Sequence, residues 1–542
     1  MNDSVIERCS YYPLESIQAT EPRIELIKKQ LESILGIVDL EYNGHPVKVN
    51  GFRLKNLSQW IMDIGLSPTY IHIHCSRQCE GACSFCYLKG NPNNVALAKS
   101  QEPADIQEIA TRLKYYNPIN GRGLFHSLFE YRETLKYPYI IEVLSELRKR
   151  TDRLFAITTN GSPLTERLIK ELSKLQPILL TVSLISSTSE TRNKLVKLSS
   201  SGTAIRSLQL LNEYGIPFIC SITMSPDITF EDLEQTIIYA DLNNPYYVRI
   251  TLEGFTKLSN RIFDTEKFYP AVVNKIRELR SKVTTPLLVF PSMYEEIITE
   301  SKYNLPRVLG VVRSSAAANA GIEYGDLITT INGLPVKTRP QVFNILQILE
   351  KSGADKVSIQ IQRNCDNKEI IIESVTEPSE HTLRSSLMED EAKSHFYFPF
   401  GIILHSGFQL QWLNDLKEII EKHKARTVLF LSSYLMRPLF EQALKDENII
   451  EGLDIDFYIE VPKNTFFGGN IFIGDMLVAE DFIMCIQDFI SQKGIRPDLV
   501  IIPGSTFPNQ HWRRDLAGVS YLQIEREVGI NVELIECDTI QF

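Results

Sequence analysis

The sequence has no run of lysine and arginine resembling a nucleic-acid-binding arm, and its 57 basic against 67 acidic side chains leave a net charge of −10. The summed field does not favour a polyanion, so a nucleic-acid substrate is not expected. Residues 1–8 lack a basic region leading into an apolar core, and no secretory signal is read there. One uncharged stretch, Ser394–Asn414, is long enough to cross a bilayer. It contains His395, Pro399, Gly401, His405, Ser406, Gln409 and Gln411, too polar for hydrocarbon, so a buried strand, a turn and a helix start are expected instead. The expectation is a soluble, cytoplasmic protein with no membrane association. A disulfide framework is also excluded: nine cysteines is an odd count in a large chain without a secretory signal.

The 542 residues have an ordinary globular balance, 43% apolar and 23% charged. At about 150 residues per domain the length implies three or four domains. Residues 1–68 read as a preface, with helical spacing over Ile24–Leu35 and a short strand pair around Glu41–Val49. From 69 to 300, strands alternate with amphipathic helices. The strands are expected at Tyr70–Cys75, Gly123–Phe129, Leu154–Thr158, Ile178–Leu184, Phe218–Thr223, Tyr247–Leu252 and Leu287–Phe290. Such repeats imply an α/β fold with a parallel sheet and right-handed crossovers, partly or completely closed as a barrel. Residues 305–375 are short β with glycine turns, 376–394 form a polar, acidic linker, and 395–542 are a second, smaller α/β domain.

Four cysteines fall within twelve residues, Cys75, Cys79, Cys83 and Cys86. Cys79, Cys83 and Cys86 follow three-then-two spacing, with Phe85 directly before the last, in a loop after the first strand of the α/β domain. Three thiolates can hold three irons of a cubane [4Fe–4S] cluster and leave the fourth open to a chelating ligand. Zinc is the alternative, with Cys75, His72 or His74 as the fourth ligand.

This motif, with its aromatic before the third cysteine and its place after the first strand, resembles the radical SAM superfamily. The resemblance implies a cluster on Cys79, Cys83 and Cys86 whose open iron binds the amino and carboxylate groups of S-adenosylmethionine (SAM). Reduction would then cleave SAM to methionine and a 5′-deoxyadenosyl radical that abstracts hydrogen from substrate, with the protein supplying orientation and exclusion of water. The run Tyr131–Pro138 stands where the family carries Gly-Gly-Glu-Pro. Glu133 matches the Glu that meets the SAM amino group, but both glycines are absent. Thr158-Thr159-Asn160-Gly161 is similar to the family's Thr-Asn-Gly turn, and Ser183 to a serine facing SAM. Phe85, Glu133, Thr159, Asn160, Ser183 and Arg249 are thus the implied cofactor contacts. For Arg249 a second reading is a buried structural pair with Glu253.

A narrower resemblance, to radical SAM proteins carrying a PDZ module and an uncharacterised C-terminal domain, rests on Leu180–Leu184, Glu190–Leu195, Gly215–Phe218, Gly254–Lys257 and Asn464–Leu477. Residues 308–336 resemble bacterial PDZ domains. The resemblance implies capture of a peptide C-terminus by β-augmentation at Val308, Leu309, Gly310 and Val311; a scaffold role against the barrel is the other reading. The glycine pair in Phe466–Asn470 and the loop Pro503–Thr506 read as tight turns. The implied partner is an electron donor such as flavodoxin or ferredoxin. The leading reading is a radical SAM enzyme; its rival is a non-catalytic iron–sulfur/PDZ adaptor or redox sensor with a degenerate barrel.

Overall fold

The structure, a computed structural model, describes residues 39–42, 45–48, 77–92, 95, 106–114, 132–152, 154–373, 398–404, 407–447, 453–472, 474–507 and 513–537. The expected helix at 24–35, the strands at 70–75 and 123–129 and the linker at 376–394 lie outside these residues. The chain divides into two compact units, one combining 1–71 with 104–121 and the other 72–103 with 122–542. In the first, β1 (Asp39–Tyr42) and β2 (His45–Lys48) form the expected antiparallel pair, and α1 (Ile106–Lys114) is a separate helix.

The second unit opens with β3 (Arg77–Gln78), paired antiparallel with β4 (Arg132–Glu133). Then come α2 (Ile140–Arg148), β5 (Phe155–Thr159), α3 (Glu166–Leu172), β6 (Ile178–Ser183), α4 (Ser189–Val196), α5 (Ser201–Glu213), β7 (Phe218–Met224), α6 (Phe230–Leu242), β8 (Val248–Leu252), α7 (Thr265–Leu279), β9 (Leu287–Phe290) and α8 (Ser292–Thr299). Thr165, Thr229 and Asp264 start α3, α6 and α7 by accepting a first-turn backbone N–H on their side chains. β5 to β9 pair in parallel in chain order. Because that order never reverses, right-handed crossovers put every connecting helix on one face. The other, inner face is left for a different partner.

Part of that partner is the PDZ-like module. It comprises β10 (Gly310–Val311), α9 (Ala316–Ala320), β11 (Leu327–Ile331), β12 (Leu334–Pro335), α10 (Arg339–Lys351), β13 (Lys356–Arg363), β14 (Asp366–Glu373) and β15 (Ile402–Ile403). Its core joins Val308, Ile328, Ile331, Val342, Leu346 and Ile359 to Phe400, Ile402 and Leu404. The buried Asp326 carboxylate pairs in two bonds with Arg363 at 2.6 and 2.7 Å. Leu309, Val312, Phe398, Ile403 and Phe343 face the sheet instead, against Ala156, Leu179, Ile219, Tyr247, Leu288 and Phe290. These sheet residues alternate with helix-facing ones, so they belong to the inner face.

Two sequence expectations change here. Residues 398–404, expected to open the C-terminal domain, complete the PDZ-like module. The proposed peptide site at Val308, Leu309, Gly310 and Val311 is used internally. Val308 bonds with Gly325 and Asp326, Leu309 N–H donates to Ile403 O at 2.9 Å, and β10 pairs with β15. A Cβ on Gly310 would stand 2.7 Å from Pro286 Cβ, so this glycine permits close packing on the barrel side rather than approach of a ligand.

The C-terminal part contains α11 (Gln411–His423), β16 (Thr427–Leu431), α12 (Arg437–Asp446), β17 (Asp456–Glu460), α13 (Ala479–Lys493), β18 (Leu499–Pro503), α14 (Leu522–Val528) and β19 (Asn531–Ile535). Its parallel sheet runs β17-β16-β18-β19. The order reverses between β16 and β18, which sends helices to both faces, and separate apolar clusters lie on the two sides. Among the described residues no helix is long and apolar enough to cross a membrane.

Candidate functional site

The cysteine loop leaves β3 and is fastened to the end of α4. Ala82 N–H donates to Val196 O at 3.1 Å and Ser84 N–H to Leu195 O at 2.9 Å. A Cβ on Gly81 would lie 3.3 Å from Cys79 Sγ and 3.5 Å from Cys83 Sγ, so two thiols gather over bare backbone. Phe85 is half-buried in the turn before Cys86. Burial pushes all three thiols up, Cys83 to about 12 with Cys86 and Cys79 adding to it, while Lys89 and Lys136 pull the other way. Lys89 Nζ also donates to Cys83 O at 3.2 Å.

β4 brings Glu133 beside this loop, opposite Arg77 in the β3–β4 register. The carboxylate is buried and accepts from Thr159 Oγ1 at 2.8 Å and from Asn160 N–H at 2.7 Å. Burial raises it to about 7, against those two bonds. Asn160 Nδ2 in turn donates to Cys79 Sγ at 3.5 Å. Glu133, Thr159, Asn160 and Cys79, spread over 81 positions of sequence, therefore meet in one chain of contacts. Ser183, half-exposed at the end of β6, is next along the sheet.

Sequence reasoning singled out no role for Arg192, which is fully buried on α4. Its guanidinium donates to Leu184 O at 2.9 Å, Ser183 O at 3.3 Å, Ser201 Oγ at 3.3 Å and Asn160 O. Among these acceptors there is no carboxylate. Burial lowers Arg192 to about 10, and the Cys83 thiolate opposes that shift. The run Glu190–Leu195 contained it, but nothing in its spacing marked a charge to be buried under the cysteine loop.

Arg249 does not pair with Glu253. Arg261 takes the buried Glu253 carboxylate through Nε at 2.8 Å and an NH2 at 3.0 Å, and also reaches Asp227 at 2.6 Å. Arg249 donates to Ser221 Oγ at 3.3 Å and lies 5.7 Å from the Phe290 ring.

Beyond β8 the chain meets the tail domain. Asn470 Oδ1 accepts from Phe255 N–H at 2.7 Å, and its Nδ2 donates to Glu253 O at 3.1 Å and Tyr269 Oη at 2.5 Å. Gly469, at φ +65°, sits where a Cβ would be 2.0 Å from Phe255 O. Thr256 continues the connection by donating to Gly90 O, just past the cysteine loop, and Val95 packs with Phe467, Met476 and Leu516. The expected tight turn at Gly468–Gly469 is thus also a docking element.

The donor set fits an iron–sulfur cluster: three thiols on one loop, bare backbone between two of them, and Lys89, Lys136 and Arg192 to offset thiolate charge. Among the described residues no group of ligating side chains converges on a single ion. The three thiolates of a cubane bind different irons and need not do so. His72, His74 and Cys75, the fourth ligands of the zinc alternative, lie outside the described residues.

Residues 73–240 match the Radical SAM superfamily, and residues 307–363 match the PDZ domain. Solved structures with similarity include SuiB of Streptococcus suis bound to S-adenosylmethionine, at 15% identity over 40% of this chain and 51% of that one, with a TM-score of 0.32. Another is the FeFe-hydrogenase maturase HydG from Carboxydothermus hydrogenoformans, at 12% identity over 80% and 94%, TM-score 0.32. Methylornithine synthase PylB is similar at 14% identity over 43% and 71%, TM-score 0.29. The chain thus spans about half the length of SuiB. Among curated proteins none matches. The parallel sheet and the cysteine loop lie within the residues of that first match or just beyond them. Residues 73–240 are thus similar to radical SAM proteins, whose cofactors are a [4Fe–4S] cluster and S-adenosylmethionine.

Proposed function

We propose that Cys79, Cys83 and Cys86 hold the cluster, that SAM binds beside Glu133, Thr159, Asn160 and Ser183, and that substrate enters the inner face of the β5–β9 sheet. When bound, the reduced cluster supplies the electron that cleaves SAM to a 5′-deoxyadenosyl radical, which takes a hydrogen atom from substrate. The chain of contacts from Glu133 through Asn160 to Cys79 carries this reading, because it puts the residues expected around SAM against a cluster thiol.

Glu133 does two jobs in it. Its bonds to Thr159 and the Asn160 N–H fix the turn after β5, and its remaining lone pairs can accept from an ammonium. Arg192 ties the carbonyls of Asn160 and Ser183 together and places a buried positive charge under the thiolates. The PDZ-like module closes the lower inner face, and the Asn470 loop braces the chain beyond β8, so both keep water from the radical's path. The external reductant is of flavodoxin or ferredoxin type. Anaerobically reconstituted protein given dithionite and SAM should form 5′-deoxyadenosine, and Glu133→Gln should weaken SAM binding roughly ten- to a hundredfold at unchanged iron content. Absence of 5′-deoxyadenosine would sink the assignment.

A further inference from the structure

Within strands β5–β9 the inner face carries one charged side chain among the described residues, Arg249; Glu253, just past β8, is taken by Arg261. The register aligns Ser183, Ser221 and Arg249 across β6, β7 and β8. Ser183, Thr223, Arg249 and Thr251 on this face keep part of their surface accessible, whereas their helix-facing neighbours Val182, Ile222, Ile250 and Leu252 are buried. Partial exposure confined to one face marks the wall of a cavity lined by hydroxyls and one guanidinium. Arg249 forms no ion pair with a described carboxylate. Beyond the bond to Ser221 Oγ, its remaining N–H donors meet no acceptor among the described residues. Burial disfavours its charged form, which a bound anion would restore.

Resting on the function proposed above, we infer that Arg249 and Ser221 form the anchor for a carboxylate group of the substrate. The charge balance selects a carboxylate: one guanidinium matches one monoanion in two parallel N–H···O bonds, while a phosphate near −2 would leave excess charge buried. The place selects substrate over the methionine carboxylate of SAM. Arg249 stands three strands from the β5 end where Asn160 meets Cys79. At about 4.8 Å per strand that is roughly 14 Å of sheet. Anionic groups on the cysteine side already have Arg192, Lys89 and Lys136 nearby.

The test uses full-length, cluster-loaded protein titrated calorimetrically with hippurate, its uncharged methyl ester and inorganic phosphate, each with and without saturating SAM. Hippurate should bind, the ester should not, and Arg249→Met should bind hippurate at least tenfold more weakly. Arg249→Lys, which keeps the charge but not the fork, should fall between them; it also serves if the Met variant does not fold. SAM should leave hippurate affinity unchanged. Competition by SAM would give the site to SAM's own carboxylate and overturn the assignment. So would tighter binding of phosphate, equal binding by Arg249→Met, or no binding of hippurate to the wild type. Loss of 5′-deoxyadenosine formation with this binding pattern intact would instead strike the enzyme reading alone.

Discussion

Two levels of one sheet face differ in chemistry although one parallel sheet builds both. Towards the strand starts, Ala156, Leu179, Ile219 and Leu288 meet Phe398, Ile403 and Val312 of the PDZ-like module, and the surface is dry. Towards the ends of β5, β6, β7 and β8 stand Thr158, Ser183, Thr223 and Thr251, and Arg249, second in β8 and opposite Leu288, joins them; each is partly exposed. The boundary runs diagonally, since Phe290 belongs to the lower level although it lies opposite Thr251, as strand stagger in a tilted sheet requires. The difference teaches that the module described by its sequence as a peptide binder is also a floor. Stability is concentrated below and chemistry above, the division expected for parallel α/β sheets.

The sharpest break between the levels is metal content. Cys83→Ala should strip most of the roughly four irons of the reconstituted protein, because the proposed function makes the three thiolates the cluster's protein ligands. The floor should be untouched, so the denaturation midpoint of the iron-free protein should match that of iron-free wild type. Iron analysis beside a denaturant melt checks both, and equal iron in variant and wild type would refute the ligand set.

Next in size is a change to the floor. Phe398 is buried and stacks on Tyr246 with ring centroids 5.6 Å apart. Phe398→Ala should cost about 3–5 kcal/mol of stability through the lost transfer energy and the cavity it leaves. A shift of the melt below about 1 kcal/mol would mean that the module merely rests on the sheet.

The strands and helices of the α/β parts were legible because period-2 and period-3.6 patterns are local. The cysteine spacing and the Thr159-Asn160 turn were legible for the same reason. Pairings set by distant chain were not. β10 and β15 are 93 positions apart at the Gly310–Ile403 pair, and only their contact reveals that the Leu309–Gly310 loop is already occupied. Asn470 joins Glu253 across 217 positions. Both runs had been marked, Gly254–Lys257 and Asn464–Leu477, yet nothing in either announced that they bind each other. Glu253 and Arg249 share a face by alternation, but Arg261, eight residues beyond Glu253, takes the carboxylate.

Gly310→Ala separates the two readings of the module at moderate cost. A Cβ there meets Pro286 Cβ at 2.7 Å, and a proline ring cannot swing away as a flexible chain end would. Overpacking of this kind costs about 1–3 kcal/mol. The expected result is a lowered denaturation midpoint for the whole protein. Unchanged stability with loss of binding to a C-terminal peptide would restore the peptide site at Val308–Val311. A fragment used for such binding has to reach residue 404, because a 305–375 piece lacks β15 and the Phe400, Ile402 and Leu404 side chains of the module's core.

The smallest effect tests the upper level. Thr251 is on β8, on the same face as Arg249, with part of its side chain accessible. Thr251→Ala removes a methyl and a hydroxyl from a cavity wall rather than from packed core. Its stability cost should stay below about 1 kcal/mol, within the span of strand preferences alone. Leu288→Ala, on the neighbouring strand and in the lower cluster, should cost about 2–5 kcal/mol. Comparing the two melts measures the boundary directly. If Thr251→Ala were as damaging as Leu288→Ala, the upper level would be packed core, and there would be no room above the floor for a substrate to meet Arg249.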